Sequence, residues 1–310
     1  MTLRKESMYL TFSRVLTVFL LLTLAAAQSN PAQSKPAAKP AAEPSSVPKP
    51  YLPSEETVNA FMQQNFAYDS SLSWKINDIK PSKAQGLAEV YVTINSPQGA
   101  QGVTLFVTPD GKHALVGELM PFGAKPFAAA RQALEKGASG PARGPANSPV
   151  TIVEFSDLQC PHCKEAQPVI EKLISDNPNA RFVFQNFPLP SHNWAAKAAN
   201  YGDCVGRASN DAFWKFVQKT YEAQEQITAS NADEKLTAIA NDSGVKGADI
   251  AACAGKPETT ARVEHSIDLG KSVDVTGTPT VFINGFKVRN LGMPPDQLKA
   301  LVEFEAKQAK

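Results

Sequence analysis

The sequence predicts two folded units: an α/β domain with an inserted helical subdomain, preceded by a small α+β domain. The α/β domain is indicated by two apolar runs of strand length, at 150–155 and 181–187, which flank a helical segment. Helical periodicity then continues over about 192–270, the predicted insert, before the chain returns to a strand at 280–283. Before all of these, residues 51–136 contain one helical pattern followed by alternating segments.

The predicted small domain begins with a helix after Ser54, whose hydroxyl is a suitable N-terminal cap. The sequence TPDG at 108–111 predicts a hairpin turn between its last two strands. Four strands are expected, at 72–79, 88–94, 102–107 and 114–119.

Segments of unusual composition flank the two predicted units and indicate a secretory signal and two linkers. Basic residues precede an apolar run at 15–27 that ends in three alanines, which predicts a secretory signal at 1–27 cleaved near Ala27. This run is short of the roughly 20 residues that cross a bilayer, so cleavage is favoured over retention as an N-terminal membrane anchor. Residues 28–50 are rich in Pro and Ala and predict a linker, and residues 137–148 predict a second.

The charge balance argues against a nucleic-acid partner. The chain has a formal net charge of +1, and without residues 1–27 it has 28 basic against 29 acidic residues. Such a chain has no basic footprint for a phosphate backbone. An exported chain meets conditions in which disulfides form, and its cysteine count is even.

The motif Cys160-Pro161-His162-Cys163 is the strongest chemical signal in the sequence. Residues three apart lie on one face of a helix, so the two sulfurs can form a reversible disulfide. Pro161 suits the first helical position, which places Cys160 at the helix N-terminus, where unpaired N–H groups stabilise a thiolate. His162 is expected to add to this effect. Cys160 is therefore the predicted attacking sulfur, and Cys163 the shielded resolving thiol.

Other uses of the four cysteines fit their spacing less well. A zinc site would need a second close pair, but Cys204 and Cys253 lie 41 and 90 residues beyond Cys163. An inert staple would not explain the strand before the motif. No metal and no cofactor is predicted. Cys204 and Cys253, both within the helical insert, are expected to form a structural disulfide, with a second redox pair or free thiols as alternatives.

Two segments together resemble the DsbA-type branch of the thioredoxin superfamily: FSDLQCPHC at 155–163 and VTGTPTVFING at 275–285. The resemblance covers about 148–310. It implies a thioredoxin-like fold for the α/β domain, assigned to 149–310, and a cis-proline loop in which Thr278 and Pro279 form the substrate-binding wall.

The same resemblance gives a role to a charged residue in the strand before the motif. Glu154 interrupts the apolar run and stands where the family places a buried acid, which could relay the proton of Cys163. Taken without the resemblance, a charge in a strand is usually a solvated side chain. Likewise, an isolated X-Pro bond is usually trans.

A shorter resemblance lies in the small domain. The segments TLFVTPDGKH at 104–113 and VGE at 116–118 are similar to a strand pair in the N-terminal dimerisation domain of DsbC-type isomerases. That resemblance implies a homodimer formed through residues 51–136 and gives some weight to isomerase or chaperone ability.

The sequence therefore predicts an exported thiol–disulfide oxidoreductase, acting most simply as an oxidase in the periplasm or another extracytoplasmic compartment. Its expected partners are unfolded or reduced exported polypeptides and a separate redox partner. Two alternatives stay open: an isomerase or reductase of the same fold, and a peptide-binding chaperone whose cysteine pair is only structural.

Overall fold

A computed structural model describes residues 49–97 and 99–308. The predicted signal at 1–27 and all but the last two residues of the predicted linker 28–50 lie outside this part of the chain. The described chain divides between Glu118 and Leu119 into two compact units. No helix within the described ranges is both long and apolar enough to cross a membrane.

The first unit is one helix on a four-stranded antiparallel sheet of order β1-β2-β3-β4. The Ser54 hydroxyl accepts a hydrogen bond from the Thr57 N–H at 3.2 Å and caps the helix, as predicted. The last strand is shorter than expected because Gly117, with φ of +147°, ends its extended backbone. The elements are α1 (Glu55–Phe66), β1 (Ser73–Pro81), β2 (Ala88–Ser96), β3 (Gly99–Val107) and β4 (Ala114–Val116).

The second unit contains a five-stranded sheet of order β5-β7-β6-β8-β9, in which β6 and β7 are parallel and the other pairs antiparallel. Helices cover both faces of this sheet, which confirms the predicted thioredoxin-like α/β fold. The strands are β5 (Ala142–Arg143), β6 (Thr151–Ser156), β7 (Arg181–Asn186), β8 (Thr280–Ile283) and β9 (Phe286–Val288). The helices outside the insert are α2 (Ala128–Gly137), α3 (Pro161–Asp176) and α9 (Pro295–Gln308).

Alternation along β6 decides what lies beneath the cysteine helix. Ile152 packs in one cluster with Ile170 of α3, whereas Val153 and Phe155 pack in another cluster on the opposite face. Because successive side chains of a strand point to opposite faces, Glu154 lies on the same face as Ile152, toward α3.

The described units divide earlier than the sequence predicted. The small domain was expected to extend to 136, with a linker at 137–148, but α2 belongs to the second unit. Leu134 of α2 is buried in a cluster with Phe155, and β5 pairs with β7 within the predicted linker. The burial of one leucine and a two-residue edge strand are features too short for a sequence pattern to show.

The insert contains five α-helices, of which α4, α5, α6 and α7 share an apolar core. A disulfide joins Cys204 of α4 to Cys253 of α7. The same core includes Leu158, Cys160 and Cys163, so the insert packs directly against the cysteine segment. Its helices are α4 (Ala195–Ala208), α5 (Asn210–Glu222), α6 (Ala232–Ser243), α7 (Gly247–Ala254) and α8 (Pro257–Ser272).

Candidate active site

The cysteine motif lies at the start of α3. Cys160 is the residue before the helix and has an extended backbone (φ −73°, ψ 122°), while Pro161 is the first helical residue. Pro161 fits there because its fixed φ is helical and its missing N–H would have had no partner in the first turn. Both thiols are reduced; Cys163 is fully buried and Cys160 is 3% exposed.

The two sulfurs have opposite electrostatic environments. The Cys163 thiol donates a hydrogen bond to the Cys160 sulfur, and the backbone N–H groups of Cys163 and His162 point at the same atom. These interactions lower the pKa of Cys160 to about 5, although burial opposes the shift. Burial raises the pKa of Cys163 far above its ordinary value, and the neighbouring Cys160 sulfur adds to this. The geometry therefore places the stable thiolate on Cys160.

The loop before β8 lies against the Cys160 sulfur. The Thr278–Pro279 peptide bond is cis, and the Thr278 carbonyl oxygen lies 3.5 Å from Cys160 Sγ. Thr280 anchors the loop, because its hydroxyl donates to the Gly277 carbonyl at 2.7 Å. Strands β6 and β8 are neighbours in the sheet, which brings together two motifs that are more than 110 residues apart in sequence.

Glu154 is buried on the α3 side of the sheet and is only 1% exposed. Burial raises the pKa of this carboxyl to about 7; the Ser156 hydroxyl opposes the shift and the negative charge of Glu171 adds to it. Within the described residues, Glu154 Oε1 has no hydrogen-bond partner. Glu154 is therefore a buried acid that can hold or release a proton near neutral pH.

A hydroxyl pair that the sequence did not reveal lies next to this acid. The Ser156 and Tyr221 hydroxyl oxygens are 2.9 Å apart, and both residues are buried. Burial raises the pKa of Tyr221 well above its ordinary value, and Cys163 and Glu154 contribute to the same shift. These hydroxyls keep their protons, so they can act as hydrogen-bond donors beside Cys163 and Glu154.

A second buried carboxylate, Asp157, holds the segment before Cys160 in place. It accepts hydrogen bonds from the Gln159 N–H (2.7 Å) and the Leu189 N–H (2.8 Å), and His192 Nδ1 lies 2.7 Å away. The Asp157 N–H in turn lies 3.5 Å from Cys163 Sγ. The sequence alone assigned no role to either Asp157 or His192. An aspartate three residues before the motif, able to accept a hydrogen bond from the N–H of the residue at i+2, was the available signal.

Two glutamines complete the support of the cysteine segment. The Gln224 amide, from the short helical turn after α5, donates to the carbonyls of Leu158 (3.0 Å) and Cys160 (3.1 Å). Gln159 accepts a hydrogen bond from the Trp194 N–H at 2.7 Å. Both contacts join the insert to the motif, and no local pattern predicted them.

His162 reaches the Cys160 sulfur through its backbone N–H. Its side chain is 78% exposed and its Nδ1 lies 3.2 Å from Glu165, while its backbone N–H points at Cys160 Sγ. In residues 49–97 and 99–308, no three His, Cys, Asp or Glu side chains are grouped as ligands for a metal ion.

Sequence and structure comparisons agree with this arrangement. A sequence model of the thioredoxin family matches residues 137–303, and a model of the N-terminal domain of disulfide bond isomerase proteins matches residues 37–125. Disulfide bond formation protein D of Bacillus subtilis is 28% identical over 177 residues, which are 54% of this chain and 77% of that protein.

Two further matches extend the comparison. The Na(+)/H(+) antiporter NhaA 3 of Salinispora tropica is 29% identical over 144 residues, which are 46% of this chain but only 21% of the antiporter. The crystal structure of Wolbachia pipientis alpha-DsbA1 superposes with a TM-score of 0.50 at 18% identity, covering 58% of this chain and 97% of that one, which shows a shared fold. Since the thioredoxin model matches more than half of its residues, the chain belongs to the thioredoxin family.

Proposed function

We propose that this protein is an exported oxidase that passes a Cys160–Cys163 disulfide to cysteine pairs of reduced or unfolded exported polypeptides. The observation that carries the proposal is the lowered pKa of Cys160. A sulfur with a stable thiolate is a good leaving group, and stabilising the reduced form makes the disulfide a stronger oxidant. The name of the Bacillus relative, a disulfide bond formation protein, supports the same direction.

The reaction needs two thiol–disulfide exchanges. A substrate thiolate attacks Cys160 Sγ, the Cys160–Cys163 bond breaks, and Cys163 leaves as a thiolate that takes up a proton. A second substrate thiolate then attacks the substrate sulfur of the mixed disulfide, and Cys160 leaves as a thiolate. The substrate loses two electrons and the protein gains them, so a separate redox partner must reoxidise the pair.

Two further groups have roles in this proposal. Thr278 and Pro279 form the wall against which the mixed disulfide lies, because the Thr278 carbonyl is 3.5 Å from the attacked sulfur and can pair with a substrate backbone N–H. Glu154, with a pKa raised to about 7, is the proton donor to the departing Cys163 thiolate.

The direction of the reaction is tested by equilibrating the protein with glutathione redox buffers and trapping its thiols by alkylation. An oxidase should have a reduction potential well above that of thioredoxin, about −270 mV, and toward the value of about −120 mV typical of strong oxidants. A potential near that of thioredoxin would contradict the oxidase assignment and leave the reductase alternative.

A second candidate, disulfide isomerase, is favoured by one observation: the N-terminal match to a disulfide bond isomerase domain. We propose that the homodimer expected of residues 51–136 forms through the part of that range in the first unit, at the edge of its sheet. The edge strand β4 carries two exposed apolar side chains, Leu115 (56% exposed) and Val116 (70% exposed). An apolar sheet edge is a ready site for pairing with another chain.

If the protein is a dimer, sedimentation equilibrium should give the mass of two chains. Leu115→Lys should shift the protein to the monomer, because the substitution introduces a charge at the proposed interface. Phe304→Lys, at an equally exposed aromatic residue of α9 in the second unit, is the matched control and should leave the mass unchanged. A monomeric wild-type protein would contradict the proposal.

Export is proposed from the sequence of residues 1–27 alone, since these lie outside the described residues. N-terminal sequencing of the protein recovered from its native compartment should begin just after Ala27. A chain that retains residues 1–27 in the membrane fraction would favour the anchor instead.

A further inference from the structure

We propose that a cleft between α4 and α8 is a second binding site, which holds a carboxylate-bearing segment of the substrate polypeptide beside its reacting cysteine. The cleft has a volume of about 560 Å³, within the usual size of about 300–1,000 Å³ for ligand sites. Its floor is the end of β7 at Asn186, and its walls are α4, α8 and the segment at 139–142. The proposal rests on the proposed function, because that function makes polypeptides the ligands.

The floor of the cleft contains a polar side chain without a partner. Asn186 is only 8% exposed, and its carboxamide makes no hydrogen bond to any described residue. The adjacent Gln185 shows the contrast: its amide donates to the Ser266 hydroxyl at 2.7 Å, and its oxygen accepts from two backbone N–H groups. The Asn186 carboxamide faces the cleft and is therefore available to pair with a group that enters it.

The charge of the cleft selects an anion. The Arg262 guanidinium is neutralised, because its Nε lies 2.9 Å from the Asp203 carboxylate. Arg207, in the last turn of α4, has no acidic partner in the described part of the chain. The lining therefore has one guanidinium in excess, and a guanidinium binds a carboxylate through paired N–H groups.

The ligand class follows from combining the two groups. A carboxamide offers one donor edge and one acceptor, which matches a peptide group. Arg207 adds a contact to a carboxylate. An extended peptide with an acidic side chain satisfies both, whereas a free inorganic anion would leave the Asn186 oxygen unpaired.

The position of the cleft relates it to the redox centre. Strands β6 and β7 are parallel, and Asn186 is aligned with Ser156, four residues before Cys160. The floor of the cleft and the cysteine segment therefore lie at the same carboxyl ends of the strands, where α/β sheets commonly bind ligands. Helix α4 lies along both, since Gly202 of α4 is next to Leu158 and Asn186.

The test uses the full chain and two capped pentapeptides without cysteine, Ala-Ala-Glu-Ala-Ala and its Gln counterpart, titrated by ligand-observed NMR. We expect the Glu peptide to bind at least about fivefold more tightly, the equivalent of about one charge-assisted contact. Arg207→Gln should remove this preference, whereas Lys271→Gln, an exposed basic residue in the last turn of α8, should preserve it. Equal binding of the two peptides to the wild-type protein would overturn the proposal.

Asn186→Leu separates a binding role from a structural one. If Asn186 is kept for a ligand, leucine should weaken the binding of both peptides at least about fivefold, while the urea midpoint of unfolding stays the same or rises, because no hydrogen bond within the fold is lost. A lower midpoint would show that Asn186 supports the fold and would overturn its assignment.

Two controls separate a polypeptide site from a general anion site and from the redox centre. Free glutamate that binds as tightly as the Glu peptide would overturn the assignment of a polypeptide ligand. Reduction of the protein's disulfide by dithiothreitol should proceed at the wild-type rate in Arg207→Gln, since that reagent makes no use of the cleft. A wild-type protein that does not exchange disulfides with dithiols would refute the proposed function. The peptide titration does not depend on that reaction, so it would still test the cleft by itself.

Discussion

Replacing Cys160 with serine should abolish oxidation of a dithiol peptide, lowering its rate by several orders of magnitude. The lowered pKa and the contact with Thr278 both belong to the Cys160 sulfur, whereas Cys163 is fully buried and has a strongly raised pKa. A hydroxyl cannot form the mixed disulfide, and the remaining thiol is neither ionised nor accessible. The measurement is single-turnover oxidation of a fluorescent dithiol peptide by the preoxidised protein.

Cys163→Ser is the matched variant, because it removes the resolving sulfur and keeps the attacking one. When it is given the peptide in its disulfide form, the Cys160 thiolate should attack that disulfide and displace one peptide thiolate. The resulting mixed disulfide should accumulate and be visible by non-reducing electrophoresis, while Cys160→Ser should form none. Under the alternative of a peptide-binding chaperone with structural cysteines, both variants would behave alike. Oxidation of the peptide retained by Cys160→Ser would refute the mechanism.

Local patterns predicted the elements that carry the cysteines. The apolar run of β6 and the proline after Cys160 are short-range signals, and the structure has the strand and the helix start where they indicate. The elements of the first unit could also be predicted from local patterns, because apolar and polar residues alternate along its strands and a serine caps its helix.

The supports of the site could not be predicted, because they are contacts between distant segments. Asp157 and His192 are 35 residues apart, and Gln224 lies 64 residues from the Cys160 carbonyl that it binds. Each is an ordinary polar residue in its own segment. Their roles arise from the way the insert packs on the motif, and the sequence showed the insert as helical without showing which of its residues face Cys160.

The position of Asn186 in the cleft could not be predicted from its own segment either. In the sequence it is only a polar residue that ends the largely apolar strand β7. Only the packing of α4 over the sheet makes it a buried carboxamide on the floor of a cleft.

The second large effect concerns Glu154 and pH. The carboxyl has a pKa of about 7 when folded, against an ordinary value of 4.5. Between these values the folded protein keeps a proton that the unfolded chain releases, so the free energy of unfolding falls as the pH rises from 4.5 to 7 and stays low above 7. At about 1.4 kcal/mol per pKa unit, the full loss is on the order of 3 kcal/mol.

Glu154→Gln keeps the shape of the side chain but cannot ionise. We expect it to match the wild type at pH 4 and to be more stable by about 3 kcal/mol at pH 8, measured by urea unfolding of the reduced proteins. Glu303→Gln, at an exposed carboxylate of α9, should follow the wild type at every pH. A stability difference between Glu154→Gln and wild type that is the same at pH 4 and pH 8 would contradict the raised pKa.

The same variant tests whether the proton of Glu154 takes part in exchange. If the carboxyl protonates the departing Cys163 thiolate, Glu154→Gln should slow formation of the mixed disulfide below pH 7, where the wild-type acid is protonated. The difference should shrink above pH 7, because the wild-type group is then ionised and has no proton to give. A stabilised variant with an unchanged rate profile would leave Glu154 as a buried acid without a catalytic role.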